Sequence, residues 1–172
     1  SNVGVVDSYL SGSGNYATSS YTGGICGYAV STTINLCYNE SFVHGYTNIG
    51  GICGYIWNTT ISNCYNMGAI TSDNFTVVIK AYVGGIYGFV NSQHSSYVSN
   101  CYNAGVVRGG HDAANIGSIG GNVGSNTHIT NCFYLVGGAA TESGRVQKGI
   151  GASSLTETTA DEPGKTDPFN SI

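Results

Sequence analysis

The chain has 172 residues, the length of one domain. Only 8% of them are charged, against a usual ~25%, while 41% are hydrophobic, 27 are glycine and 13 are tyrosine. Its five basic residues, none before Lys80, and its net charge of −4 speak against a nucleic-acid partner or an anionic membrane surface, and no run of ~18 apolar residues predicts a membrane-spanning helix.

Tyr, Thr, Val and Ile favour strands, while the strong helix formers are sparse, so the chain reads as all-β. The elements recur along it. A partial copy opens the chain, where Val5-Val6-Asp7-Ser8-Tyr9 is aligned with Ile61-Ser62-Asn63-Cys64-Tyr65. Gly-Gly anchors follow at Gly23-Gly24, Gly50-Gly51, Gly84-Gly85 and Gly120-Gly121. Each precedes a Cys-aromatic anchor: Cys37-Tyr38, Cys64-Tyr65, Cys101-Tyr102 and Cys132-Phe133. Gly24 to Cys37 and Gly51 to Cys64 are both 13 residues. The larger variation falls between copies, so the segments 71–82, 91–97 and 107–118 read as variable loops carrying any specificity.

Each copy predicts about three short strands, and a copy of some 27 residues cannot bury an apolar face alone. The expected fold is therefore a parallel β-solenoid (β-helix) of about four coils over residues 1–138, with a partial N-terminal coil. Residues 139–172 are set apart as an irregular C-terminal cap or tail. Stacking brings equivalent residues into columns. Ile25, Ile52 and Ile86 form one, with Asn122 as a departure. Gly27, Gly54, Gly88 and Gly124 form another, and Ile34, Ile61, Val98 and Ile129 a third. Asn39, Asn66 and Asn103 predict an amide ladder. Tyr38, Tyr65, Tyr102 and Phe133 predict an aromatic stack.

The residues of the phrase GGICGYIWNTTISNCYNMGAIT, from Gly50 to Thr71, resemble the GLUG motif, a short repeat of bacterial surface proteins. Ile25, Ile52 and Ile86 stand where that motif has leucine. The resemblance covers about residues 1–138. It implies a secreted or cell-surface location, a repeat architecture and a non-catalytic, adhesin-like role. The absence of an initiator Met and of a basic-then-apolar leader leads to the expectation of a mature or excised piece.

Among residues able to carry chemistry, Cys26 and Cys53 are placed in one column and Cys37, Cys64, Cys101 and Cys132 in another. Tyr87 and Val123 are aligned where the first column loses its cysteine, and Ser8 where the second does. Such substitutions favour packed free thiols over disulfides, and the linear arrangement without C-x-x-C spacing argues against zinc. His44, His94, His111 and His128 match no ligand pattern and read as solvated loop residues. Glu40, Asp73 and Asp112 fall at different distances past their cysteines and share no column, so no carboxylate pair for catalysis is expected. No cofactor and no metal are assigned. Asn39, Asn58 and Asn74 begin N-glycosylation patterns, which matter only in a eukaryotic source.

The first functional reading is a non-enzymatic extracellular structural or adhesin-like module, able to stack head to tail into a filament through open solenoid ends. A glycan-binding module using a ladder of Tyr38, Tyr65 and Tyr102 is the second, and a carbohydrate-active β-helix enzyme the third. Host or matrix glycans and proteins are the expected partners besides the chain itself.

Overall fold

Short stretches in which apolar residues alternate with polar ones, broken by Gly, Asn and Ser, set the architecture. The computed structural model describes residues 1–14, 19–73, 80–109 and 115–135, with backbone strands at Ala139–Thr141, Gly144–Val146 and Ile150–Ser153. The chain is all-β, and parallel strands stack coil upon coil as a β-solenoid.

The first turn begins with β1 (Gly4–Val5) and β2 (Tyr9–Ser11). The next coil supplies β3 (Tyr21–Gly23), β4 (Cys26–Val30), β5 (Thr33–Asn35), β6 (Tyr38–Asn39) and β7 (Phe42–Gly45). Its successor repeats the set as β8 (Asn48–Gly50), β9 (Cys53–Trp57), β10 (Thr60–Ser62), β11 (Tyr65–Asn66) and β12 (Ile70–Ser72). Then come β13 (Tyr82–Gly84), β14 (Tyr87–Val90), β15 (Ser96–Ser99), β16 (Tyr102–Asn103) and β17 (Val107–Arg108). The last full set is β18 (Ile116–Gly117), β19 (Gly120–Val123), β20 (Thr127–Thr130), β21 (Phe133–Tyr134) and β22 (Ala139–Thr141). A coil thus has five strands, one for each of five sheets, rather than about three. Unforeseen are the strand before each Gly-Gly anchor, such as β3, and the division of the segment from Ile61 to Tyr65 between two strands, β10 and β11.

Register corrects five alignments. Gly84 pairs with Gly117, and Ile86 N donates to Ile119 O. The fourth anchor is therefore Gly117-Ser118, not Gly120-Gly121. Ile119, not Asn122, completes the isoleucine column. Gly121, not Gly124, follows Gly88, since Tyr87 pairs with Gly120. For the same reason Gly120, not Val123, stands in the column of Cys26 and Cys53. At the N-terminus Gly4 pairs with Tyr38 and Val5 with Asn39, while Tyr9 pairs with Phe42. Asn2-Val3-Gly4-Val5 is thus the copy of Asn63-Cys64-Tyr65-Asn66, and Val3 rather than Ser8 takes the cysteine position.

Pairing continues past residue 138, where the repeat phrase stops. The β22 strand extends the sheet of β17 and turns back antiparallel on β23 (Gly144–Val146), while β24 (Ile150–Ser153) pairs with β19. The remaining tail, 154–172, lies outside the described residues.

Two apolar columns fill the interior. The larger holds Ile52, Ile56, Ile61, Ile86, Tyr87, Val90, Val98 and the cysteines. The smaller holds Val43, Ile49, Ile70, Val83, Val107 and Ile116. The chain passes from one to the other at two places in every coil. One is the Gly-Gly turn. The other is the asparagine after Cys-Tyr. These two places face each other: a Cβ on Gly24, Gly51 or Gly85 would lie 2.6, 2.5 or 2.3 Å from the side-chain amide carbon of Asn39, Asn66 or Asn103. The two halves of the repeated phrase meet across this waist, which is why they recur together.

Candidate functional site

The waist carries the most ordered polar chemistry. Asn39, Asn66 and Asn103 are fully buried. Asn39 Nδ2 donates to Asn66 Oδ1 at 2.7 Å, and Asn66 Nδ2 to Asn103 Oδ1 at 2.7 Å. Each also donates to a backbone carbonyl two residues on, those of Ser41, Gly68 and Gly105. The predicted ladder is present, and it satisfies polar groups that burial would otherwise penalise. It is closed to ligand, and Asn39 cannot serve as a glycan acceptor there. At the fourth coil both partners change together, with Ser118 at the glycine place and Tyr134 at the asparagine place.

Tyr38, Tyr65 and Tyr102 stand one above another on the outer side, half-buried. Ring centroids are 5.0 and 4.9 Å apart and the planes differ by 8° and 4°. Phe133 continues the register. The rings cover each other's faces, so Tyr65 presents its edge and hydroxyl, which donates to Glu40 Oε1 at 3.0 Å. Partial burial pushes its phenol up to about 12, with the Glu40 hydrogen bond adding to the rise. A sugar ring stacks on an aromatic face, and at Tyr65 both faces are taken.

A second aromatic surface escaped the sequence reading. The Gly-Gly turn folds β3 back beside β4, and the same happens in each later coil. Tyr28, Tyr55 and Phe89 form a column with centroids 4.7 and 5.4 Å apart. Tyr21 meets Tyr55 edge-on at 5.1 Å, and Tyr82 meets Phe89 edge-on at 4.8 Å. Asn91 Nδ2 donates to the Tyr55 hydroxyl at 2.9 Å. Trp57, beside them, tilts against His94 at 5.6 Å. Tyr21 and Tyr28 remain 41% and 46% exposed. The recurring aromatic after Gly-Gly-Ile-x-Gly was the available signal. What it lacked was the fold-back that adds Tyr21 and Tyr82 from another strand.

Of the described histidines His94 is an exposed loop residue, as expected, while His44 and His128 stand in strands. His44 lies in β7, with Nδ1 2.9 Å from Thr71 Oγ1 and Nε2 2.8 Å from Asp73 Oδ2. His128 lies in β20 and stacks on Tyr97 at 4.9 Å. His94 occupies the turn by Trp57. His111 and Asp112 lie outside the described residues, as do 74–79 and 110–114 within the expected variable segments 71–82 and 107–118. Glu40 and Asp73 serve different partners and are not brought together, as their spacing implied.

All six cysteines are free. Cys37, Cys64, Cys101 and Cys132 form the expected column, with the sulfurs of Cys64, Cys101 and Cys132 each in reach of two backbone carbonyls as acceptors. A hydrogen bond from Cys101 brings the Cys64 thiol down to about 7, and the bonds to Cys132 and then to Cys64 push Cys101 up. Cys26 and Cys53 pair in register between β4 and β9. Among the described residues no group of three or more His, Cys, Asp or Glu is placed to hold a metal, and no helix is long and apolar enough to cross a membrane. A scan of protein-family models, a search of curated proteins and a search of solved structures each return no match.

Proposed function

We propose that this chain is a non-enzymatic structural module of a bacterial surface or secreted protein, of the adhesin-like kind that its GLUG-like phrases suggest. The observation that carries this reading is the register. From β3 to β22 the coils bond in parallel to their neighbours in all five sheets, and like residues recur at many of the paired positions. Such an arrangement specifies stiffness and spacing, while loops between coils are free to vary. Antibody labelling of intact source cells tests it. Surface label is the expected result, and label seen only after permeabilisation would count against it.

A second reading, a glycan-binding module, draws support from the aromatic corner of Tyr21, Tyr28, Tyr55, Tyr82 and Phe89 more than from Tyr38, Tyr65 and Tyr102. Side chains of the corner are uncharged, which suits a neutral saccharide. Binding to a neutral glycan array that is lost in Tyr28→Ala and kept in Tyr65→Ala supports it; loss in neither variant removes it. In the filament form of the first reading, a second copy would stack on the outward side of β3, β4 and β5. Sedimentation that stays monomeric with rising concentration would dismiss that form.

A further inference from the structure

We infer that Cys26 and Cys53 are a thiol–disulfide exchange pair, which a small organic disulfide oxidises to an intramolecular bridge. Three features of the structure lead there. The first is register: the two residues are directly paired on adjacent parallel strands. Neighbouring strands lie ~4.8 Å apart, inside the ~4.4–6.8 Å between Cα atoms that a disulfide spans. The second is asymmetry of access. Cys26 is half-buried and Cys53 is fully buried, packed against the larger apolar column. A reagent therefore reaches Cys26 first, and Cys53 waits beside it. The third is freedom to adjust. A bridge draws Cβ atoms to ~3.8 Å, so one strand must shift by up to ~1 Å. The β4 strand is outermost in its sheet and bonds to β9 alone.

The electrostatics agree with this division of roles. The hydrogen bond from Cys53 brings the Cys26 thiol down to about 6, burial opposing, so a large part is thiolate at neutral pH. The same bond and burial push Cys53 up. The attacking group is thus the exposed thiolate and the resolving group is the buried thiol. The column of four offers one comparable pair, half-buried Cys132 beside buried Cys101, where a hydrogen bond from Cys101 likewise lowers the Cys132 thiol. What sets Cys132 apart is its contact with backbone. Cys37, Cys64 and Cys101 are buried, and half-buried Cys132 is held by two backbone carbonyls, those of Val98 and Thr130. Cys26 donates to one, that of Tyr28. The product also suits its surroundings, since a disulfide is uncharged and the neighbouring column is apolar.

The steps balance. The Cys26 thiolate attacks one sulfur of the small disulfide, forming a mixed disulfide and releasing one thiolate. Cys53 gives up its proton and attacks the Cys26 sulfur, forming the internal bond and releasing the second. Two protein thiols are oxidised and the reagent is reduced to two thiols.

Oxidised glutathione is the probe, applied to the folded chain, followed by thiol titration under denaturing conditions and peptide mapping. The expected result is loss of two of the six thiols, a mass lower by two hydrogens, a map joining Cys26 to Cys53, and full recovery with dithiothreitol. Cys53→Ala, checked for folding by circular dichroism, should instead retain one glutathione on Cys26. A wild-type chain that keeps all its thiols overturns the inference. So does a wild-type adduct that stays on Cys26, or a bridge mapped within the column of four. The wild-type map decides the matter even if the variant fails to fold.

Discussion

Single residues show where this chain departs from its own pattern. Thr22 pairs in register below Ile49, Val83 and Ile116, inside the smaller apolar column. Its Oγ1 is buried and has no hydrogen-bond partner among the described residues. Valine has the same shape without the hydroxyl. Relieving an unsatisfied buried group is worth ~1 kcal/mol or more, so Thr22→Val is expected to raise the urea midpoint at unchanged slope; a lower midpoint refutes the argument. Leu36 is the second departure. The residue before each cysteine of the longer column turns with positive φ, 56° at Leu36 and 53°, 52° and 52° at Asn63, Asn100 and Asn131. Asparagine tolerates that conformation and leucine resists it, at a cost of ~1 kcal/mol. The three asparagines also bond to one another on the surface, Asn100 to Asn63 at 3.2 Å and Asn131 to Asn100 at 2.6 Å. Leu36 is 53% exposed and buries little that would be missed. Leu36→Asn is therefore expected to stabilise by ~1 kcal/mol, read from chemical denaturation.

At the level of strands and turns, the waist explains what could be read in advance. The Cys, Asn and Tyr columns were legible because Cys37 and Cys64, with their neighbours, stand 27 residues apart with nothing inserted. The fourth copy was not legible by eye. Ser118 hides the second glycine of its anchor, and Gly120-Gly121 imitates one three residues later. Before the Gly-Gly anchor, β3 and β8 align Tyr21-Thr22 with Asn48-Ile49, which no short phrase marks. The aromatic corner depends on a reversal of direction at Gly23-Gly24 that brings Tyr21 onto Tyr28. Spacing alone does not reveal it. The ladder itself yields a sharp expectation. Asn66 takes part in three buried bonds, to Asn39, Asn103 and Gly68. At ~1 kcal/mol each, plus the space left behind, Asn66→Ala should cost ~3–4 kcal/mol. Calorimetry should show similar losses for Asn39→Ala and Asn103→Ala, because each also takes part in three buried bonds, one of them accepted from the backbone N–H of Ser41 or Gly105.

For the molecule as a whole, stability is tied to alkaline pH through raised phenols and thiols, the buried Tyr87 among them. Tyr87 is wholly buried and its hydroxyl donates to Asn122 O at 2.8 Å. Burial raises its phenol above the ordinary tyrosine value. A group whose folded value is raised keeps its proton in the folded state. Its contribution is complete below pH ~10, where the unfolded phenol is also protonated, and is lost as pH climbs further. Tyr87→Phe should therefore be somewhat less stable at pH 7 and should lose stability less steeply above pH 10, followed by circular dichroism; an unchanged slope rejects this. The asparagine ladder has a wider consequence. Asn66, the interior amide, gives a hydrogen to the coil that follows and takes one from the coil before, so an interior coil presents both plug and socket. A coil is then a spare part. Duplicating residues 23–49 joins Ile49 to Gly23 as it now joins Gly50, adds one ladder bond, and lengthens the stack by ~4.8 Å. The enlarged chain should fold with a higher unfolding enthalpy, and scattering should show the extra height. The chain's height is counted in copies, which makes gene duplication within the array a change of length and not of fold.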